Sequence, residues 1–138
     1  MHVVIAGCGR VGSGLARELV TRGHEVAVID EDDESFYLLG DDFPGEFVHG
    51  RALDWDVMRR AGIARADAFV ACTDGDNTNL VCLQIAQKKF GVHCSVARVY
   101  DPHRAQLYAK AGFRTFCPTS DVRQALLDAV MACQVGEG

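Results

Sequence analysis

Short apolar runs alternate along the chain with longer stretches in which apolar residues recur at helical spacing. The short runs are rich in β-branched residues, as expected for strands that are buried on both faces of a sheet. They predict six strands, at His2–Ala6, Glu25–Ile29, Glu46–His49, Ala66–Cys72, Cys94–Val99 and Thr115–Cys117. The intervening stretches predict six helices, at Val11–Thr21, Asp33–Leu39, Asp54–Ala61, Asp74–Phe90, Pro102–Ala111 and Ser120–Cys133.

The alternation of strand and helix predicts the fold class. A strand, a helix and a second strand form a right-handed crossover, so repeated units give parallel strands with helices on both faces. We therefore predict an α/β, Rossmann-like, doubly wound domain over residues 1–138, with a mainly parallel six-stranded sheet. Ligands of such sheets bind at the carboxyl ends of the strands, so the loops after the strands are the candidate site.

The loop after the first predicted strand is rich in glycine and reads Gly7-Cys8-Gly9-Arg10-Val11-Gly12. This G-x-G-x-x-G pattern lies between a strand and a helix, the context in which it binds a dinucleotide. Gly7 would form the tight turn, Gly9 would leave room for a pyrophosphate, and Gly12 would let the helix pack closely on the sheet. The helix N-terminus would offer free N–H groups to the phosphates. The alternative is a tight turn that binds nothing.

Two acidic residues follow the second predicted strand. Asp30 lies 18 residues after Gly12, where a carboxylate accepts both hydroxyls of an adenosine ribose. It would repel a 2′-phosphate, and Glu31 adds a second charge, so NAD(H) fits better than NADP(H). ATP, ADP and AMP carry the same ribose, so the predicted cofactor is an adenosine nucleotide with a free 2′-hydroxyl. The alternative role of Asp30 is that of a helix N-cap.

Two other strand ends carry candidate ligand contacts. After the third strand, the backbone of Arg51 and Ala52 is placed to meet an adenine edge. Thr73 and Asp74 follow the fourth strand, where the two halves of a doubly wound sheet meet. We expect this second pair to lie beside the ribose and the phosphates.

Two further candidates admit a structural role as readily as a binding role. Asn77, together with Asn79, either lines the cleft or caps the following helix. Arg98 lies in an apolar stretch, where an unpaired guanidinium is costly. It either meets a ligand phosphate or forms a buried ion pair with a loop aspartate, and the residues alone favour neither role.

Composition narrows the function. The 138 residues include 14 basic and 19 acidic side chains, and a net charge of −5 argues against a nucleic-acid partner. No apolar run is long enough to insert into a membrane and no signal peptide precedes the first strand, so we expect a cytoplasmic protein. The six cysteines lack C-x-x-C spacing and predict buried thiols. No triad, phosphate loop or metal cluster points to catalysis, so we predict binding without a reaction.

Blocks of sequence over nearly the whole chain match a known family in order and spacing. They are Val3–Gly12, Gly23–Val26, Val28–Asp30, Ala61–Asp67, Thr73-Asp74, Asn79-Leu80, Ala97–Val99 and Pro118-Thr119. On these blocks the chain resembles the N-terminal RCK domain, also called KTN or TrkA-N, of TrkA-type potassium-uptake regulators. The resemblance implies a cytoplasmic regulatory subunit that binds NAD(H) or ATP/ADP. It also implies that this subunit gates a membrane-embedded potassium channel or transporter at the inner face of the membrane.

The resemblance also implies which residues contact the nucleotide: Gly7 to Val11, Asp30, Thr73, Asp74 and Arg98. It implies that Arg10 is aimed at the phosphates, in some members across a dimer. One position departs from the family pattern, because Gly50-Arg51-Ala52 stands where members usually have Gly-Asp-Ala. We hypothesise that Arg51 favours phosphate-rich ligands or stacks on the adenine.

The last predicted helix, at about residues 120–133, bears on partners. It carries an apolar stripe at helical spacing that consists of Val122, Leu126, Ala129, Val130 and Cys133. This stripe either packs on its own sheet or, as the resemblance implies, crosses to a neighbouring subunit in a homodimer or larger ring.

Two other functions are compatible with the same residues. One is a small NAD-dependent oxidoreductase or a fragment of one, which would need a catalytic group. The other is a regulatory module of another cation transporter or antiporter, which would use the same nucleotide contacts.

Overall fold

The computed structural model describes residues 1–135, and the predicted domain's last three positions, 136–138, lie outside the described residues. The strands are β1 (His2–Ala6), β2 (Glu25–Asp30), β3 (Glu46–His49), β4 (Ala68–Ala71), β5 (Cys94–Arg98) and β6 (Arg114–Phe116). The α-helices are α1 (Arg10–Thr21), α2 (Trp55–Arg60), α3 (Asp76–Gln84), α4 (Pro102–Lys110) and α5 (Pro118–Val135). Asp33–Leu39 and Ile63–Arg65 form 3-10 helices, and Ile85–Lys89 forms a π-helical turn.

The six strands form one sheet in the order β3-β2-β1-β4-β5-β6, and each neighbouring pair is parallel. This confirms the predicted doubly wound α/β fold. The chain runs outward from β1 to β3 and then returns to the other side of β1 at β4. The switch point therefore lies between β1 and β4, where the carboxyl ends of the central strands meet.

Alternate residues of β1 belong to different hydrophobic cores. Val4 and Ala6 pack in a cluster that includes Met58 of α2 and Leu83 of α3. Val3 and Ile5 pack in a second cluster that includes residues of α1. Since successive side chains of a strand point to opposite faces, the sheet is covered on both sides, as the apolar runs predict.

Short polar residues begin two of the helices. The side chain of Asp54 accepts a hydrogen bond from the N–H of Asp56 (2.8 Å) and caps α2. Asp101 accepts from the N–H of His103 (3.0 Å) at the start of α4, whose first residue is a proline. These caps satisfy N–H groups that have no acceptor inside their helices.

The short helix predicted at Asp33–Leu39 is confirmed over the same bounds, as a 3-10 helix. Two other helical predictions are corrected by the structure. The helix predicted over Asp74–Phe90 is α-helical only in α3, and it then widens because Phe90 N–H donates to the carbonyl of Ile85 (3.2 Å). The last helix begins at Pro118 rather than Ser120, since the fixed φ of proline suits the first helical position. The bounds of β1 and β3 are as predicted, and the other element boundaries differ from the predictions by at most two residues.

The last helix, α5, exposes its apolar stripe. The side chains from Asp121 to Cys133 are all exposed, and those of Val122, Leu126 and Val130 are 56%, 63% and 64% exposed. Packing of this stripe on its own sheet therefore does not occur. Within residues 1–135, none of the helices is both long and apolar enough to span a membrane.

Candidate functional site

A cleft of about 410 Å³ opens at the carboxyl edge of the sheet, beside the switch point between β1 and β4. The segments that follow the first four strands all contribute to it. Its lining residues are Gly7, Gly9, Ile29, Asp30, Glu31, Asp32, Ser35, Gly50, Arg51, Ala52, Leu53, Cys72, Thr73, Asp74, Gly75 and Thr78. The cleft is thus at the position that doubly wound sheets use for ligands.

Two glycines of the first loop are required by the fold. Gly7 has a φ of +109°, and a Cβ there would lie 2.8 Å from the carbonyl oxygen of Cys72. A Cβ on Gly12 would lie 1.9 Å from the carbonyl oxygen of Gly7, so α1 approaches the end of β1 closely only because this side chain is absent. These two positions fix the tight turn and the packing of α1 that the pattern predicts.

Gly9, by contrast, is not required by the fold. Its φ of −84° and ψ of −160° are open to any residue. A Cβ at Gly9 would meet no atom within 4 Å. Because Gly9 lines the cleft and precedes the first turn of α1, its missing side chain leaves space at a helix N-terminus whose N–H groups favour anions.

The carboxylate of Asp30 lies across the cleft from β4 and is already held in place. Its Oδ2 accepts the N–H of Cys8 (2.8 Å) and its Oδ1 accepts the N–H of Asp32 (2.9 Å). An ionised carboxylate has about four acceptor positions, so each oxygen keeps one for a ligand. The arrangement ties the end of β2 to the glycine turn and leaves a fixed acceptor pair in the cleft.

The opposite wall of the cleft is formed by the loop after β4. Asn79 of α3, which is completely buried, holds this loop through hydrogen bonds. The amide of Asn79 bonds to the backbone and the hydroxyl of Thr73 and to the carbonyl oxygen of Arg98. Arg98 in turn donates from Nη2 to the carbonyl oxygens of Cys72 (2.9 Å) and Thr73 (3.0 Å). The loop that carries Thr73 is therefore rigidly attached to both β4 and β5.

Eight of the predicted site residues line the cleft and six do not. Those in the cleft are Gly7, Gly9, Asp30, Glu31, Arg51, Ala52, Thr73 and Asp74. Those outside its lining are Cys8, Arg10, Val11, Gly12, Asn77 and Arg98. Position in the lining does not test contact with a ligand, so the contacts of all fourteen residues stay predictions.

The residues outside the lining have other contacts. Cys8 donates its N–H to Asp30, and Arg10 and Val11 are exposed in the first turn of α1. Asn77 accepts a hydrogen bond from Nη2 of Arg104 (2.7 Å) and caps no helix. The ion pair predicted as the alternative for Arg98 exists only as a 3.9 Å approach to Asp74, because the closer bonds of Arg98 go to backbone carbonyls.

Several lining residues were not predicted, among them Asp32, Ser35 and Thr78. Asp32 extends the acidic run of Asp30 and Glu31, and this run is the sequence signal that could have identified it as a lining residue. Its side chain accepts the N–H of Glu34 (3.0 Å). Ser35 lies in a 3-10 helix that folds back against the glycine turn, where its carbonyl accepts the thiol of Cys8 (3.4 Å). The sequence carries no local signal for that contact. The other unpredicted members are Ile29, Gly50, Leu53, Cys72 and Gly75.

Charge in the cleft is unevenly distributed. The lining contains four carboxylates and a single basic side chain, that of Arg51. Nε of Arg51 lies 3.7 Å from Glu31 Oε2, and both side chains are well exposed, so this pair contributes little to stability. Arg51 is consequently free to turn toward a ligand at small cost.

Cys72 lines the cleft and Cys8 lies in the adjoining glycine turn, and neither thiol is activated. Burial, assisted by the charge of Asp30, raises the pKa of Cys8 to about 11. Burial also raises the pKa of Cys72 to about 11, although the guanidinium of Arg98 opposes the shift. Both thiols are protonated at neutral pH, so they offer no thiolate nucleophile.

Comparison with protein families matches the TrkA-N domain to residues 3–117. A Trk system potassium uptake protein TrkA of Streptomyces coelicolor is 50% identical over 115 residues, which are 83% of this chain and 52% of that protein. The chain thus spans about half the length of this relative.

Solved structures share the fold. The Kef CTD of Shewanella denitrificans, in an AMP-bound form, is 25% identical with a TM-score of 0.80, and the match covers 96% of this chain and 82% of that one. The GsuK channel bound to NAD is 22% identical with a TM-score of 0.68, over 85% of this chain and 21% of that one. At that identity the second likeness concerns the fold alone.

Proposed function

The chain belongs to the TrkA-N domain family, and we propose that it is a nucleotide-sensing regulatory domain that catalyses no reaction. In this proposal, NAD(H) or ATP/ADP binds in the cleft and changes the shape of paired domains. That change gates a membrane-embedded potassium channel or transporter from the cytoplasmic face of the membrane. The ligand can do this only if it binds one of the two shapes more tightly than the other.

The observation that carries the proposal is the combination of an open glycine and a fixed carboxylate. Gly9 leaves space at the N-terminus of α1, which suits a pyrophosphate. Asp30 keeps free acceptor positions, which suit the two hydroxyls of an adenosine ribose. A phosphate site and a ribose site on the two sides of one turn fit an adenosine nucleotide with a free 2′-hydroxyl.

The remaining predicted contacts complete the proposed binding mode. The adenine lies against the backbone at Arg51 and Ala52, with the guanidinium of Arg51 near the base or the phosphates. Arg10 is exposed beside the N-terminus of α1, from which it can reach phosphates in its own cleft or in that of a second copy. Thr73 and Asp74 lie at the far side of the glycine turn.

The binding proposal is tested with Gly9→Ala. The added methyl group would occupy the space proposed for the pyrophosphate, so we expect the affinity for NADH and ADP to fall about tenfold, roughly 1.4 kcal/mol. The unfolding temperature should change little, because the new Cβ meets no protein atom. Isothermal titration calorimetry measures the affinity, and thermal unfolding measures the stability.

Gly14→Ala is the matched control. Gly14 also has no atom within 4 Å of its would-be Cβ, but it does not line the cleft, so its substitution should leave both affinities within twofold. If no adenosine nucleotide stabilises the wild-type protein against heat, the proposed function is wrong. A ligand present at 100 times its dissociation constant should stabilise the fold by about 2.7 kcal/mol.

The exposed stripe of α5 supports the proposal of a homodimer or larger ring. Leu126 and Val130 are four residues apart and share one face of the helix, where water contacts both. A second copy of this helix would remove that apolar area from water. We expect the wild-type protein to be dimeric or larger by light scattering at tens of micromolar.

Leu126→Glu combined with Val130→Glu should convert this assembly to a monomer, because glutamates on the seam repel one another and lose apolar contact. The fold should persist, since both side chains are exposed in the monomer. Val81→Glu is the control, because Val81 is also exposed (43%) but lies on α3. A monomeric wild-type protein, or a dimeric double variant, would contradict the proposed seam.

A further inference from the structure

The orientation of the Asn79 amide is fixed by its surroundings. Its Nδ2 lies 3.0 Å from the carbonyl oxygen of Thr73 and 2.9 Å from that of Arg98. Both partners can only accept, so the nitrogen of the amide must be on this side. Its Oδ1 is therefore on the side that faces the N–H and the hydroxyl of Thr73.

This orientation determines whether the hydroxyl of Thr73 donates or accepts the hydrogen bond to Asn79. Oδ1 of Asn79 lies 2.9 Å from the Thr73 nitrogen and 2.6 Å from its Oγ1. An amide oxygen has no hydrogen, so the N–H and the hydroxyl of Thr73 both donate to it. The nearest other polar contacts of Oγ1 are at 3.4 Å, to the N–H and the carbonyl of Gly75. Thr73 lines the cleft, and its hydroxyl therefore meets a ligand as an acceptor and not as a donor.

The neighbouring groups on this wall also accept hydrogen bonds. Asp74 follows Thr73 in the lining and carries a fully exposed carboxylate. The nearest base, Arg98, lies outside the lining and directs its Nη2 to two backbone carbonyls. Phosphate oxygens are acceptors, so this side of the cleft does not suit a phosphate, whereas sugar hydroxyls are donors and suit it well.

We propose that the cleft selects a dinucleotide, a nucleoside pyrophosphate that carries a second sugar, over a nucleoside triphosphate. The selection is made by Asn79, a positioning residue that acts through the hydroxyl of Thr73. The N–H donors at the start of α1 lie between two sets of acceptors, Asp30 on one side and Thr73 with Asp74 on the other. In a dinucleotide, the donors would bind the pyrophosphate and each set of acceptors would bind the hydroxyls of one sugar. A γ-phosphate would instead meet the acceptors at Thr73 and Asp74. This inference rests on the proposed nucleotide site.

The test compares four ligands by calorimetry on the full chain: ADP, ATP, ADP-ribose and NAD. ADP is the part that all four share, and ADP-ribose adds the second sugar without nicotinamide. We expect ADP-ribose and NAD to bind at least tenfold more tightly than ATP. Thr73→Val should weaken ADP-ribose and NAD about tenfold and leave ADP within twofold, and Thr73→Ser, which keeps the hydroxyl, should restore the wild-type values.

Two further variants test the acceptor character of the wall formed by Thr73 and Asp74. Asp74→Asn should increase the affinity for ATP several-fold, because it removes a negative charge from the position proposed to face the γ-phosphate. Asn79→Leu frees the hydroxyl hydrogen of Thr73 and should reduce the preference for ADP-ribose over ATP. If this buried substitution prevents folding, the Thr73 variants carry the test alone.

The outcomes separate the inference from the proposed function. If none of the four ligands binds the wild-type protein, both are wrong. If ADP binds but ATP binds as tightly as ADP-ribose, or if Thr73→Val weakens ADP as much as NAD, the nucleotide site stands and the selection by Asn79 and Thr73 is wrong.

Discussion

Gly12→Ala is expected to destabilise the protein by about 3 kcal/mol, which corresponds to a fall of roughly 10 °C in the unfolding temperature. The new Cβ would be built 1.9 Å from the carbonyl oxygen of Gly7 and 3.2 Å from Sγ of Cys72. Neither neighbour can yield easily. The N–H of Gly7 is bonded to the carbonyl of Ile29 (2.8 Å), and Cys72 is buried beneath the turn. Helix α1 must move away from the sheet, and buried contacts are lost.

Gly14→Ala provides the contrast, since it adds the same methyl group to the same helix two residues later. Nothing lies within 4 Å of that position, and alanine favours a helix by about 0.5–1 kcal/mol over glycine. Thermal unfolding of the two variants should therefore move in opposite directions. Equal unfolding temperatures would mean that α1 can shift at no cost and that Gly12 does not determine its approach to β1.

The glycine turn shows what sequence reasoning recovers well. A strand, a glycine pattern and a helix are contiguous in sequence, so local rules place Gly7 and Gly9 in the turn and Gly12 at the start of the helix without knowledge of the rest of the chain. The same rules do not say which glycine serves the fold and which leaves space for a ligand. That distinction depends on the neighbours of each Cβ, and Cys72 is 65 residues away from Gly7 along the chain.

Arg98 shows why other residues of the site could not be assigned. Its apolar flanks indicate a buried guanidinium, but burial alone does not identify its partner. The partner proves to be a pair of carbonyl oxygens at the end of β4, and backbone groups carry no signature in the sequence. The π-helical turn after α3 has a similar origin, since it depends on how Phe90 closes against Ile85 and not on a residue type that favours it.

The exposed face of α5 shows the limit of a periodic pattern. Apolar residues at helical spacing predict that a face is buried, but not against which surface. The structure removes one of the two interpretations, because Val122, Leu126 and Val130 are more than half exposed in the single chain. The described residues therefore do not supply the contact that the pattern predicts, and the oligomeric state is a measurement that bears on it.

Asp30→Asn is expected to weaken NADH about 100-fold, roughly 2.7 kcal/mol. An asparagine retains one oxygen, so its NH₂ group must face either the N–H of Cys8 or that of Asp32, both of which now donate to the carboxylate. The variant loses a bond to the turn and one of the two acceptors proposed for the ribose, and the remaining acceptor is neutral. Removal of the charge should also relieve repulsion of the 2′-phosphate of NADPH, so the ratio of the NADH affinity to the NADPH affinity should decrease. Calorimetry with both nucleotides measures the two effects.

Asp32→Asn distinguishes the specific role of Asp30 from general charge in the cleft. Asp32 lines the same cleft, and an asparagine can still cap the 3-10 helix by accepting the N–H of Glu34. Its substitution removes one negative charge at nearly the same place and should leave the affinity for NADH within twofold, with no change in the preference over NADPH. If both variants weaken NADH equally, or if Asp30→Asn leaves the NADH to NADPH ratio unchanged, Asp30 does not hold the ribose. The cleft would then discriminate between nucleotides by its overall charge. The proposal that acceptors at both ends of the cleft bind sugar hydroxyls would then no longer include Asp30.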